Sequence, residues 1–284
     1  MQNKTAVALG TFDGVHKGHR AVLDLSRGYE NRVAVTFESP PKSDITGKVG
    51  LITTVKDKCD ILKSLGFSEV CLLDFGKVRD MHADEFLDYL KNKYSPSLIS
   101  CGFNYRFGRG GEGNKDTISA FCKKNGMEFS CAECVYEDGK AVSSTAIRDM
   151  LSKGLIECAD RLLCKPFSFE AEVITGDRRG RTIGFPTVNQ RYPDELVRIK
   201  FGVYKTSVLI DGRRYTGITN IGIRPTYRSD FIISETNILG FSGNLYGKKL
   251  RIIPVRFIRP EKRFSSAEEL KSQIAEDYKY IKEK

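Results

Sequence analysis

Histidine and cysteine are missing from the end of this sequence. The last of three histidines is His82, the last of eight cysteines is Cys164, and the 120 residues beyond hold neither. An imidazole or thiol is therefore excluded as base or nucleophile there, and proton abstraction falls to a carboxylate, lysine or tyrosine. A GxxxxGK[ST] loop is also absent, so any kinase chemistry needs another phosphate cradle. No window holds 18 uncharged apolar residues, and the short apolar run in MQNKTAVALG leads straight into a glycine-bearing turn. The expectation is a cytoplasmic protein with no membrane partner. Low-complexity runs are lacking too, and 40% hydrophobic against 29% charged residues describes a soluble globular chain.

The eight cysteines need a separate reading. Cys131-Ala-Glu-Cys134 has CxxC spacing, but no second CxxC and no nearby histidine completes a zinc site. A disulfide framework is foreign to a large unexported chain, so free thiols in or near strands are expected. Charge is uneven as well. Residues 1–160 hold 22 Lys+Arg and 22 Asp+Glu, whereas residues 161–284 hold 24 and 14, which places the whole net charge of +10 in the second half. A basic half prefers an anionic partner: nucleic acid, a membrane surface or phosphorylated small molecules. Its aromatics are not interleaved with basic residues as stacking platforms would be, which argues against a nucleic-acid-binding module.

At 284 residues there is room for two domains. Ala6–Leu9, Val33–Phe37, Val70–Leu73 and Leu98–Cys101 read as buried strands. Helical spacing covers Val55–Leu65, with Thr54 as N-cap and Gly66 past the end, and continues at Asp84–Leu90 after His82, a capping or solvated histidine. Strand alternating with helix predicts a Rossmann-like α/β domain over residues 1–160. From residue 161 onward the runs are β-branched and aromatic: Phe169–Thr175, Gly202–Ile210, Arg214–Thr219, Ile232–Leu239 and Lys249–Phe257. With Asp211-Gly212 as a hairpin turn, they predict a small antiparallel β-barrel over 161–284. One helix closes it, with Ser265-Ser-Ala-Glu268 as capping box and Leu270, Ile274 and Ile281 as the inward stripe.

Two of the three histidines fall in Gly10-TFDGVHKGH-Arg20. If a strand ends at Leu9 and a helix begins near Gly18, this is the strand-to-helix turn at the carboxyl edge of a parallel sheet, where open α/β folds bind ligands. Gly10, Gly14 and Gly18 let the backbone approach a phosphate, and the helix start offers unpaired N–H groups. His16 and His19, at i and i+3, then lie on one side and can both donate to phosphoryl oxygens.

GTFDGVHKGH resembles the GxFDGxHxGH signature of the HxGH nucleotidyltransferases, particularly the prokaryotic bifunctional riboflavin kinase/FAD synthetases. Cys101-GFNYRFGRGGEG-Asn114 is similar to that family's G-(D/N)-F-R-F-G segment, and Val142-SSTAI-Arg148 to its ISSTxIR segment. The resemblance implies that FMN phosphate attacks the α-phosphorus of ATP, giving FAD and pyrophosphate. An ionised phosphate is already the nucleophile, so alignment and charge neutralisation carry that step. By match to the motifs, Gly10, Phe12, Gly14, His16, His19, Ser144, Thr145 and Arg148 would hold ATP or phosphate, and Asn104 would line the ATP and flavin site. Two positions depart from the pattern. Phe37-Glu-Ser-Pro-Pro41 lacks the histidine of Phe-x-Pro-His-Pro, and Ala141 stands where an arginine is usual, beside Lys140.

In the second half, Gly176-DRRGRTIGFPTV-Asn189 combines glycines with Arg178, Arg179 and Arg181, and ends in a hydroxyl and an amide oxygen suited to Mg²⁺. On composition alone it is equally a basic hairpin. It resembles the flavokinase signature GRxxGFPTxN, and Gly202-Val-Tyr204, Asn220-IGIRP-Thr226 and Glu235-TNILGFSGNLY-Gly247 follow that family's order. The resemblance implies that Gly180, Arg181, Thr187 and Asn189 hold ATP, with Thr187 and Asn189 on Mg²⁺. Arg224 and Glu235 would meet the flavin, Glu235 taking the proton from the ribityl 5′-hydroxyl of riboflavin. Asn237, Gly240, Ser242 and Asn244 replace the family's E-x-H-x-L-D-F-x-x-D-L-Y-G pattern and remove its acids. Kinase and adenylyltransferase together are the leading expectation, and a chain keeping one activity is the alternative.

Overall fold

The computed structural model describes residues 4–38, 50–176, 184–224 and 231–283. By its contacts the chain forms two compact units, Met1–Ile147 with Leu162–Lys165, and Arg148–Arg161 with Pro166–Lys284.

The first unit is built on five parallel strands, β1 (Thr5–Leu9), β2 (Asn31–Phe37), β3 (Glu69–Leu73), β4 (Leu98–Gly102) and β5 (Glu128–Ala132), ordered β3-β2-β1-β4-β5. Helices α1 (Lys17–Asp24), α2 (Val55–Ser64), α3 (Phe75–Val78), α4 (Ala83–Tyr94) and α5 (Lys115–Lys124) alternate with them. The near-continuous apolar runs of β1 and β2 are what a strand covered on both faces requires. Val7, Leu9, Val33 and Val35 meet Phe86, Leu87 and Leu90 of α4 in one core cluster. The small Ala8 and Ala34 share the other with Val22 and Leu23 of α1 and Ile61 and Leu62 of α2. Thr54 caps α2 by accepting the Asp57 N–H (3.1 Å), and Gly66, at φ +88°, ends it in the left-handed region that glycine favours. The fifth strand lay outside the sequence expectation because β5 is a half-exposed edge with little apolar contrast.

The chain lays β2 and β3 to one side of β1 and then β4 and β5 to the other. The carboxyl ends of β1 and β4 therefore flank the point where strand order reverses, the place where such sheets bind ligands. The short hairpin β6 (Tyr136–Glu137) and β7 (Lys140–Ala141) precedes α6 (Ser144–Ser152) and α7 (Ile156–Leu162).

The second unit is a closed barrel of β8 (Phe169–Ile174), β9 (Thr187–Arg191), β10 (Gly202–Ile210), β11 (Arg213–Arg224), β12 (Phe231–Ile238) and β13 (Lys249–Arg259), all neighbours antiparallel. Asp211 (φ 46°) and Gly212 (φ 80°) make the expected two-residue turn between β10 and β11. Three buried hydroxyls, Thr206, Thr219 and Thr236, link β10, β11 and β12 by successive 2.9 Å hydrogen bonds. Thr187 of Pro-Thr-x-Asn opens strand β9, which also carries Asn189.

Helix α8 (Ala267–Glu283) follows the barrel. Its N-cap sits one residue later than expected: Ser266 Oγ accepts the Glu269 N–H (3.1 Å), and Glu269 reaches back past it to accept the Ser265 N–H (2.9 Å). The inward stripe also needs correcting. Ile281 is buried, whereas Leu270 and Ile274 are half-buried, and the most enclosed residue is Asp277, 3% exposed and paired with Arg259 Nη2 at 2.8 Å.

Candidate active sites

The turn after β1 is held from within. Gly10 donates its N–H to Val35 C=O (3.2 Å), and a Cβ there would meet the Phe12 ring at 2.6 Å. Buried Asp13 accepts the Ile52 and Thr53 N–H groups at 2.9 and 3.3 Å. Gly14 donates to Thr53 Oγ1 (3.2 Å) at φ +82°, and a Cβ would lie 3.0 Å from Ile52. Phe12 (φ 47°) and Val15 (φ 40°) are left-handed without being glycine, costing about 1–2 kcal/mol each. Strain of this kind collects at functional sites.

His16 is the N-cap of α1, with Nδ1 accepting the His19 N–H at 3.2 Å, which leaves Nε2 as its donor. The two imidazoles stack at 3.7 Å with planes 15° apart, and Phe12 meets His19 edge-on at 5.4 Å. Gly18 leaves room for the His16 ring, from which a Cβ would stand 3.2 Å. Both histidines thus meet on one side of the turn.

Of the other expected residues, Asn104 is exposed in the turn just after β4, on the far side of the switch point from the histidines. Ser144 opens α6 and donates to Asp13 C=O (3.0 Å), tying that helix start to the turn; Thr145 is exposed beside it, and Arg148 follows one turn later, half-buried. Ala141 is exposed on β7, and Glu137 of the same hairpin pairs with Lys17 at 2.8 Å.

In the barrel, antiparallel register aligns a polar row. Glu235 lies opposite Asn189 on one side and Asn220 on the other, and Asn237 lies opposite Thr187. Directly opposed residues share a face, and so do Thr187 and Asn189 at i and i+2. Asn189 is 5% exposed, and its Oδ1 has no hydrogen-bond partner among the described residues. A buried amide oxygen left open beside a threonine hydroxyl and a half-buried carboxylate is a fitting donor set for a hard cation such as Mg²⁺. Gly176 must be glycine here, because a Cβ would come within 2.3 Å of Asn189 Nδ2. Gly180 and Arg181 lie outside the described residues, as does the Arg224 side chain.

Residues 1–146 match the FAD synthetase family model, and residues 163–284 match the riboflavin kinase model. The protein named bifunctional riboflavin kinase/FMN adenylyltransferase in Listeria monocytogenes is 32% identical over 282 residues, covering 95% of this chain and 89% of that one. Its namesake in Escherichia coli K12 is 33% identical over 286 residues, covering 97% and 91%. This chain belongs to that family. A solved Streptococcus pneumoniae structure described as a macrolide-efflux protein is 28% identical, with a TM-score of 0.89 over 98% of this chain and 94% of that one. No described helix of the present chain is long and apolar enough to cross a membrane.

Within the family frame, several residues beyond the expected set hold the sites in place. Cys164 donates its N–H to Val15 C=O (3.1 Å), and Leu163 pairs with His16, so a segment far along the chain braces the histidine turn. Asp13 sat inside the quoted motif, yet sequence gave no sign that its carboxylate faces inward. Asn237, a departure from the family's pattern, donates to Pro186 C=O (2.7 Å) and accepts from Tyr278 OH. Tyr278 also packs on Phe185 at 5.5 Å, so α8 grips the two residues that lead into Thr187. Gly240, at φ +69°, and Asn244, accepting the Tyr246 N–H at 3.1 Å, shape the turn that follows. His82 stands at the N-cap of α4, where Glu85 takes its N–H at 2.8 Å and Glu112 contacts its ring at 3.2 Å. The eight cysteines are free thiols, and burial pushes Cys101 up to about 12, with neighbouring Cys131 adding to the shift.

Proposed function

We propose that this protein makes FMN and FAD in two separate sites, with residues 161–284 transferring phosphate from ATP to riboflavin and residues 1–160 joining FMN to the adenylyl group of a second ATP. The relation to two-activity transferases over nearly the full chain, with both family models matched, carries the reading. The substrates are small molecules handled in the cytoplasm, without nucleic-acid or membrane partners.

In the adenylylation site, His16 and His19 face the ATP phosphates and offset charge that builds on the leaving pyrophosphate. Gly10, Phe12 and Gly14 line the turn, Asn104 meets ATP and flavin across the switch point, and Ser144, Thr145 and Arg148 hold phosphate. No base is needed, because FMN supplies an ionised phosphate. In the kinase site the nucleophile is a neutral alcohol, and Glu235 accepts its proton. Gly180, Arg181, Thr187 and Asn189 hold ATP, and Arg224 lies toward the flavin. Thr187 and Asn189 would hold Mg²⁺, which would neutralise charge on the ATP phosphates.

Incubation with riboflavin and MgATP, and separately with FMN and MgATP, tests both reactions by resolving the flavins. FMN and FAD are expected from the first mixture, FAD and pyrophosphate from the second. Absence of either product would remove that activity from the assignment.

A further inference from the structure

Lys58 has no part in any motif above, yet it is 4% exposed on α2, directly under the histidine turn. Its ammonium donates to Phe37 C=O, to Thr36 Oγ1 (3.4 Å) and to Thr11 C=O (3.4 Å), and the Thr36 hydroxyl donates in turn to Thr11 C=O at 2.7 Å. Each of its three protons has an acceptor, and all the acceptors are neutral. Lys58 has no carboxylate ion pair within 4.0 Å among the described residues.

A buried ammonium hydrogen-bonded only to carbonyls and a hydroxyl is costly to the apo fold, and the nearby carboxylates of Asp13 and Glu38 offset part of that cost. A trans peptide points its C=O and N–H to opposite sides. With Thr11 C=O drawn onto Lys58 and Thr36, the Phe12 N–H is turned away from them, at the residue where the backbone becomes left-handed.

We infer that Lys58 is a positioning residue for adenylyl transfer: from beneath the sheet edge it holds the Thr11 carbonyl and so orients the Gly10–His16 turn toward anionic ATP. This rests on the reading of that turn as the ATP site. Burial lowers the lysine's pKa, and the nearby charges of Asp13 on the turn, Cys59 on its own helix and Glu38 after β2 counter that shift. A bound triphosphate acts in the same sense as those acids. Lys58 touches no reacting atom in this scheme; its effect passes through the turn.

The test is Lys58→Met in the full chain, with FAD formation, ATP affinity by calorimetry, riboflavin phosphorylation and thermal unfolding all measured. The expected result is a fall of about 100-fold in FAD formation, with ATP binding in the first site at least tenfold weaker. Riboflavin phosphorylation should stay within twofold. A purely structural lysine would lower the unfolding temperature and the active fraction while leaving the ATP affinity of the folded fraction unchanged, and that outcome overturns the inference. If Lys58→Met does not fold, Thr36→Val carries the test, because it keeps side-chain shape and removes the hydroxyl link to Thr11. A threefold to tenfold rise in the KM for ATP in FAD formation is expected of it, and an unchanged KM overturns the inference. The reading of the site itself fails separately, if the unmodified protein makes no FAD from FMN.

Discussion

The two units meet phosphate chemistry with opposite materials. In the first, a strained turn presents backbone and two stacked imidazoles above buried ionic pins, Asp13 and Lys58. In the second, the row Thr187, Asn189, Asn220, Glu235 and Asn237 is laid out by strand register, with one carboxylate among neutral groups. In the proposed roles the difference follows the nucleophile: phosphate attacking phosphate needs charge offset, which a crowded, preorganised turn would supply; an alcohol needs one proton acceptor held steady, which a strand would supply.

The largest effects should separate the two sites cleanly. Glu235→Gln keeps the shape and removes the proposed base, so riboflavin phosphorylation should drop by about 10³-fold while FAD still forms from FMN. His16→Ala with His19→Ala should do the reverse, lowering FAD formation by about 10³-fold and sparing FMN production. Product-resolved assays on both variants decide this, and loss of both activities from either one would break the comparison. Asn189→Ala comes next, at about 10²-fold on the kinase, with a higher magnesium concentration needed for half-maximal rate.

The contrast also explains what was legible beforehand. His16, His19 and their glycines are contiguous, so one short stretch displays the whole turn, and the β1 and β2 runs stand out because both faces are buried. The barrel's row is assembled from three strands, and no local pattern shows that Asn189, Glu235 and Asn220 are neighbours; only the register does. Lys58 was invisible for another reason. On α2 it occupies a position that helical spacing reads as one more charged residue, and its burial depends on where Thr11 and Phe37 lie. The N-cap falls one residue later than expected because Ser265 and Ser266 are adjacent serines, each followed three residues later by a glutamate, Glu268 or Glu269.

A smaller effect concerns pH. Burial holds Lys58 below the ordinary lysine range, so its charge is lost as pH rises through that lowered value, earlier than for an exposed lysine. FAD formation should show an alkaline fall that riboflavin phosphorylation lacks. The fall in kcat/KM, which reports the free enzyme, should lie at lower pH than the fall in kcat, because bound ATP favours the charged form. Lys58→Met should remove the fall from both profiles.

The smallest effect tests whether the barrel site, for all its neutrality, is as firmly braced as the turn. Tyr278→Phe keeps the ring on Phe185 and deletes the hydroxyl that Asn237 Oδ1 accepts from. A neutral hydrogen bond of this kind contributes about 1 kcal/mol, and the expected cost to barrel stability is of that size. Asn237 would still hold Pro186 through Nδ2, so riboflavin phosphorylation should slow by about threefold or less. Asn237→Ala removes both links at once and should raise the kinase KM for ATP by about tenfold, with FAD formation from FMN unchanged. Equal effects from the two variants would mean that α8 steadies the strand only by packing, and that the amide standing at this departure from the family's pattern has no share in placing Thr187 and Asn189.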